Sequence, residues 1–99
     1  MNSKILTLLG FVSKAGKLSY GMNATLTALK GGKAQVVIAA MDTSAKSKKE
    51  LIFHAEKYGV KNIVLESVSA EQLSHAVGRR CSIISVNEQG FAEAIIKGN

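Results

Sequence analysis

Residues 15–42 read AGKLSYGMNATLTALKGGKAQVVIAAMD, and this stretch decides the fold. Leu18–Tyr20 is one brief extended segment, and Gly21 turns the chain behind it. Met22–Lys30 predicts a helix with Met22, Leu26 and Leu29 inward, and Gly31-Gly32 stops it. Residues 35–40, QVVIAA, form a β-branched run of the kind found in a strand buried on both faces. Asp42, Thr43 or Ser44 can then cap the next helix.

Outward from this segment the alternation continues. Upstream, Ser3 can cap a helix that runs to about residue 15. Ile5, Leu8, Leu9 and Val12 lie at helical spacing, with Leu6 and Phe11 widening the stripe. Downstream, the third helix runs to about Tyr58, with Leu51, Ala55 and Tyr58 inward, and Gly59 closes it. Residues 62–66 are the next strand. Ser69 with Gln72 three residues later is a capping-box pattern for a short helix, Ala70–Val77, ended by Gly78. Residues 81–86 form another strand. Asn87 can cap a last helix with Phe91, Ala92, Ile95 and Ile96 on one face. Such alternation predicts one α/β domain, residues 1–99, folded as a three-layer α/β/α sandwich on a mixed central sheet of about four strands. The runs 35–40, 62–66 and 81–86 are expected to be central.

Charge is distributed unevenly. The first 49 residues hold eight lysines (Lys4, Lys14, Lys17, Lys30, Lys33, Lys46, Lys48 and Lys49) and the single acid Asp42, a formal +7. The other 50 residues sum to −1, for +6 overall. In a domain this small the split implies one basic face and a polyanionic partner, against the plainer reading of a lysine-rich soluble surface.

Other classes recede. No apolar run exceeds the six residues 36–41, so no membrane span is expected. The N-terminus has no signal-peptide pattern and Cys81 is the only cysteine, which together favour the cytoplasm and exclude an internal disulfide. There is no GxxxxGK[ST] loop and no GxGxxG. His54 and His75 are isolated and read as packing or surface residues, so no metal site and no cofactor are expected. Cys81 has no identifiable base beside it and reads as a small hydrophobe. The seven acids form no evident pair for acid–base work, so the chain is not expected to be an enzyme. The RRM aromatic stretch and the GxxG loop of KH domains are absent. The five aromatics mostly fall on apolar stripes and are expected in the core, so if the polyanionic partner is a nucleic acid, a helix end, lysines and a loop are the means of binding it.

Asn23 is the residue best placed for that. It lies in the first turn of a helix, where unpaired amides and the helix dipole suit a phosphate or the edge of a base. Its amide both donates and accepts. Simple capping accounts for the same placement equally well. Lys17 lies upstream, Lys30 and Lys33 downstream.

An ordered set of segments carries a resemblance over nearly all 99 residues. It comprises LLGFVSKAGKLSYG, the G-x-N helix start, KGGKAQVVIAAMD with a polar cap behind it, LSHAVGRR before the last strand, and the closing NEQGFAEAI. The chain resembles the L7Ae/L30e ribosomal protein family, and within it the bacterial YlxQ-like branch. The resemblance implies an α/β/α sandwich and binding to structured RNA, either kink-turn RNA, a bent helix–bulge–helix with tandem sheared G·A pairs, or rRNA. It also implies a contact surface. Gly21, Met22 and Asn23 match the family's G-x-N turn, with Asn23 on a guanine edge. Lys17 matches a basic residue upstream of it. Asp42 matches an acid beside a pocket for a bulged base, and Gly78, Arg79, Arg80 and Cys81 match the loop over the unpaired bases.

Two positions depart from the pattern. Ala24 stands where kink-turn readers often have Glu or Gln, and Thr27 where they often have Lys, so polar groups are lost from the base-reading face. Thr27 keeps one hydroxyl, and Lys30 can supply charge one turn on. The expectation is therefore a non-enzymatic, cytoplasmic, monomeric RNA-binding protein, associated with structured RNA or the ribosome. The alternative is a protein-interaction module of the same fold without base reading.

Overall fold

A computed structural model describes residues 3–98. The elements follow in the expected alternation: α1 (Ser3–Lys14), β1 (Leu18–Tyr20), α2 (Met22–Lys30), β2 (Val36–Ala39), α3 (Ala45–Lys57), β3 (Lys61–Val64), α4 (Ala70–Val77), β4 (Ile83–Val86) and α5 (Gln89–Gly98). The four strands make one mixed sheet in the order β1-β4-β2-β3. Strand β4 runs antiparallel to both neighbours, whereas β2 and β3 are parallel. Strands β1, β2 and β3 therefore all end at the same edge of the sheet, the edge at which β4 begins.

The side-chain alternation of a strand sends successive residues to opposite faces. Val36 and Ile38 of β2, with Ile84 and Val86 of β4, join Ile5, Leu9, Val12, Leu73, Val77, Ala92 and Ile95 in a core under α1, α4 and α5. Val37, Ala39 and Ile83 join Ala28, Leu29, Leu51 and Ala55 in a second core under α2 and α3. These are the three expected layers. Each fully buried Leu, Ile or Val contributes about 1.5–3 kcal/mol by leaving water.

Only two of the three β-branched runs are central. All four residues of both β2 and β4 are buried, but β3 is an edge strand with Lys61 exposed and Asn62 half-buried. An exposed lysine on an unpaired strand edge discourages pairing with other chains. Residues 81 and 82, expected within the last strand, precede it.

The caps sort themselves by geometry. Ser44, of the three candidates, caps α3 by accepting from the Ser47 amide at 3.2 Å. The Ser69–Gln72 capping box forms with both of its hydrogen bonds. Asn87 does not cap α5. The Phe91 amide donates to Glu88 Oε1 at 2.7 Å. Asn87 instead accepts from Ser85 Oγ and donates to Ser19 Oγ, tying the end of β4 to β1. Helix α1 begins at Ser3 itself, and the cap assigned to the Ser3 side chain lies outside the described residues.

Several aromatics expected inside are outside. Phe11 is 59% exposed, Phe53 64% and Tyr58 37%. On α1 the stripe Ile5–Leu9–Val12 faces the sheet, so Phe11 lands on the rim of a groove of about 770 Å³ between α1 and α4. No helix among the described residues is long and apolar enough to cross a membrane.

Candidate nucleic-acid interface

Three loops meet at the sheet edge where β1, β2 and β3 end. The first is Tyr20-Gly21-Met22-Asn23, the turn from β1 into α2. Gly21 has φ 90° and ψ 166°, a conformation open essentially to glycine alone. Its amide donates to the Ile83 carbonyl at 2.7 Å, which anchors the turn to β4. Because Gly21 is the N-cap and has no side chain, α2 starts without a side-chain cap and with no acid in its first turn. Met22 packs partly into the second core, whereas Asn23 and Ala24 are exposed. Asn23 is therefore not the cap of its helix. It stands beside the positive end of the dipole with its amide outward.

The second loop, residues 40–44, follows β2. The Ala40 amide and the Thr43 hydroxyl both donate to the Ser82 carbonyl, at 2.8 and 3.3 Å. Asp42 Oδ1 accepts from the Ala70 amide at 2.8 Å, so this carboxylate holds the start of α4.

The third loop, residues 78–82, lies between the other two and binds both. Gly78 ends α4 in the left-handed region, at φ 76°. Arg79 then lays its guanidinium over the Tyr20 ring, 4.5 Å from the centroid. The Tyr20 hydroxyl is hydrogen-bonded to Ser13 Oγ, which donates to the Val77 carbonyl at 2.7 Å. Arg79 and Arg80 are exposed. Beside them a cleft of about 570 Å³ is lined by Ala70, Glu71, Ser74, Arg80, Cys81 and Ser82. Its start at Ala70 is the group that Asp42 holds.

Cys81 faces inward. Its side chain belongs to the first core and its thiol donates to the Arg79 carbonyl at 3.4 Å. Ser74 Oγ accepts from the Cys81 amide and donates to the Cys81 carbonyl, each at 2.9 Å. What Cys81 can offer a ligand is limited by that burial; it shapes the loop. Burial pushes its thiol pKa up, against the Ser74 hydrogen bond and the Arg79 charge, which pull it down. The raised value means that the native state holds this proton more tightly than the unfolded chain. Stability is therefore intact below the unfolded thiol range and falls as pH rises through the folded value. Urea midpoints at pH 7 and pH 9.5 should drop more for the wild type than for Cys81→Ala; equal drops would mean that the thiol ionises as freely in the fold as out of it.

Gly21, Met22, Asn23, Asp42, Gly78, Arg79 and Arg80 thus share one edge. Lys17, Lys30 and Lys33 do not. The Asn87 amide donates to the Lys17 carbonyl, and the Gln35 amide to the Val86 carbonyl, both at the far end of β4. A strand of four residues spans about 13 Å, and the nine residues of α2 about the same. Lys30 ends α2 and Lys33 precedes β2, so these lysines sit at the opposite edge from Asn23. The basic half of the sequence is not one basic face. Thr27 is exposed, four residues from Asn23, but its hydroxyl donates back to the Asn23 carbonyl at 3.0 Å. Its proton is committed to the helix, and only an oxygen lone pair faces outward.

Two contributors escape sequence reasoning. Tyr20 seats Arg79, a pairing across residues 59 positions apart that no local pattern announces. Lys46, Lys48 and Lys49 open α3 at the same edge as Asn23, with Lys48 Nζ donating to the Met41 carbonyl at 2.7 Å. Here a signal existed. The first turn of a helix favours acids, and α3 has none there.

The model of the ribosomal protein L7Ae/L30e/S12e/Gadd45 family matches residues 3–96. An RNA-binding protein YlxQ of Enterococcus faecium is 28% identical over 90 residues, covering 91% of this chain and 85% of that protein. The large ribosomal subunit protein eL30 of Saccharomyces cerevisiae is 30% identical over 89 residues, covering 88% and 84%. Among solved structures, a Bacillus halodurans protein of unknown function superposes with a TM-score of 0.90 at 26% identity, covering 96% and 95% of the two chains. The Giardia lamblia 15.5kD RNA binding protein shares the fold, with a TM-score of 0.83 at 22% identity over 96% and 83%.

Proposed function

The chain belongs to the ribosomal protein L7Ae/L30e/S12e/Gadd45 family, and from that premise we propose that it is a non-enzymatic RNA-binding protein that grips a kink-turn or similarly bent, bulged RNA. The observation that carries this reading is the convergence of the uncapped start of α2, with Asn23 exposed, and the Arg79–Arg80 loop on one sheet edge. The first turn of α2 meets the RNA at the bend, and the Asn23 amide pairs with a base edge there. Arg79, already seated over the Tyr20 ring, stacks its guanidinium on an unpaired base. The cleft beside Arg80 receives a bulged base, with Asp42 fixing its wall through Ala70. The names of the relatives from Enterococcus faecium and Saccharomyces cerevisiae, an RNA-binding protein and a large ribosomal subunit protein, support RNA, free or in a ribonucleoprotein, as the class of partner.

The test is a binding comparison between a kink-turn RNA and a control duplex lacking the G·A pairs. Asn23→Ala should cost roughly 1–3 kcal/mol on the kink-turn and little on the duplex. With about four phosphate contacts the log–log salt slope should be near −3, at roughly −0.7 per contact. Equal losses on both RNAs would reduce Asn23 to a phosphate contact. The bond from Thr27 to the Asn23 carbonyl favours a second reading, because it leaves Asn23 as the one free base-reading side chain among positions 23, 24 and 27. If neither RNA is preferred, the same edge serves a protein partner.

A further inference from the structure

Helix α3 carries a surface that starts at the edge described above, with Lys46, and runs well beyond it. Leu51 and Ala55 face the sheet. On the opposite side Lys46, Lys49, Phe53 and Lys57 follow one another at spacings of three and four residues, which align them in a single stripe. All four are exposed, Phe53 to 64%. Phe53 is braced edge-on by the His54 ring, with centroids 5.3 Å apart and planes at 81°. Lys57 Nζ lies 5.6 Å from the centre of the Tyr58 ring. Glu50 and Glu56 flank the stripe, yet no ion pair joins them to these lysines among the described residues.

Only Lys57, in the last turn of α3, complements the helix dipole. Lys46 at the start opposes it, and a phenyl ring in water gives up the stabilisation that burial would bring. We infer that the outer face of α3 is a second RNA-contact surface, which tracks the backbone of a stem leaving the bend. The inference rests on the RNA-binding reading above and extends it to a face of the molecule beyond the Asn23 edge. Continuity supports it: α2 and α3 start at the same sheet edge, from strands β1 and β2 that flank β4, about 10 Å apart at two strand spacings. From Lys46, at that edge, the stripe leads away for about 16 Å along the helix. Over that length a duplex backbone presents a charge roughly every 1.7 Å of axis. The ammonium groups take phosphates, and the Phe53 ring packs against the sugars between them.

The experiment uses the full chain and two kink-turn RNAs, one with a stem trimmed to a few base pairs and one with that stem extended beyond a helical turn. A duplex of the extended length lacking the G·A pairs is the third RNA. Wild type should bind the extended kink-turn about tenfold more tightly than the trimmed one. The triple variant Lys46→Gln, Lys49→Gln, Lys57→Gln should lose that gain and lower the salt slope on the extended RNA by about 2, and Lys57→Gln alone, at the far end of the helix, should lose part of the gain while binding the trimmed RNA as wild type does. Phe53→Ala should lose part of the gain. All four positions are exposed, so unchanged thermal melting will show that the variants fold. A triple variant that keeps the full gain overturns the inference and leaves the Asn23 reading standing. Loss of preference for the kink-turn in the wild type overturns that reading instead; the α3 surface then stands or falls on whether the triple variant weakens binding to the plain duplex.

Discussion

Gly21→Ala should lower the melting temperature and weaken kink-turn binding in the same variant. At φ 90° and ψ 166° an L side chain is strained even though a Cβ there would meet no atom within 4 Å. The cost is backbone conformation, about 1–3 kcal/mol, which in a domain of this size is roughly 5–15 °C. Alanine also restricts the unfolded chain, which returns some fraction of that, roughly 0.4–1 kcal/mol. The protein can relieve the strain by rotating the first turn of α2 or by releasing the bond from the Gly21 amide to the Ile83 carbonyl. Either movement carries Asn23 away from the Arg79 loop, so RNA affinity falls with stability. Gly31→Ala is the matching control. Its φ of −81° is ordinary and a Cβ would sit 3.4 Å from the Thr27 carbonyl, so the change should be close to neutral. Thermal melts and binding on both variants decide it; a Gly21→Ala protein as stable as wild type would mean that the turn is not held as described.

Substitutions at Tyr20 should separate the stability of the edge from its readiness to bind. Tyr20→Phe removes the hydroxyl bonded to Ser13 but keeps the ring under Arg79. It should cost about 1 kcal/mol of stability, one net hydrogen bond, with RNA affinity nearly unchanged. Tyr20→Leu removes the ring as well and should cost about 2 kcal/mol, adding the lost cation–π contact to the lost hydrogen bond. Arg79 would then lose its seat and pay the ordering entropy only on binding. Weakened binding to the kink-turn by the leucine variant alone is the expected result. If leucine and phenylalanine variants bind alike, the position of Arg79 is immaterial to the RNA.

The extent to which these features were legible differs with the range of the interactions behind them. The succession of elements, the buried run at β2, the Ser69–Gln72 capping box and the glycine turn into α2 were all readable from residues a few positions apart. Hydrophobic periodicity, capping and glycine geometry act over one or two turns of chain, and the chain order records them directly. The order β1-β4-β2-β3 is another matter. It rests on pairings such as Ser19 with Ser85 and Ala39 with Ile83, which bring together residues 66 and 44 positions apart. That order decided which charges are neighbours. It placed Asn23, Asp42 and Arg79–Arg80 on one edge with Lys46, and sent Lys17, Lys30 and Lys33 to the other, though the last three are nearer to Asn23 in sequence. It also put β3 at an edge. The amino-acid sequence by itself determined which segments become helix and strand and how much charge they carry. The tertiary structure alone decided where that charge stands, because strand pairing, unlike helix periodicity, is settled by contacts between distant parts of the chain.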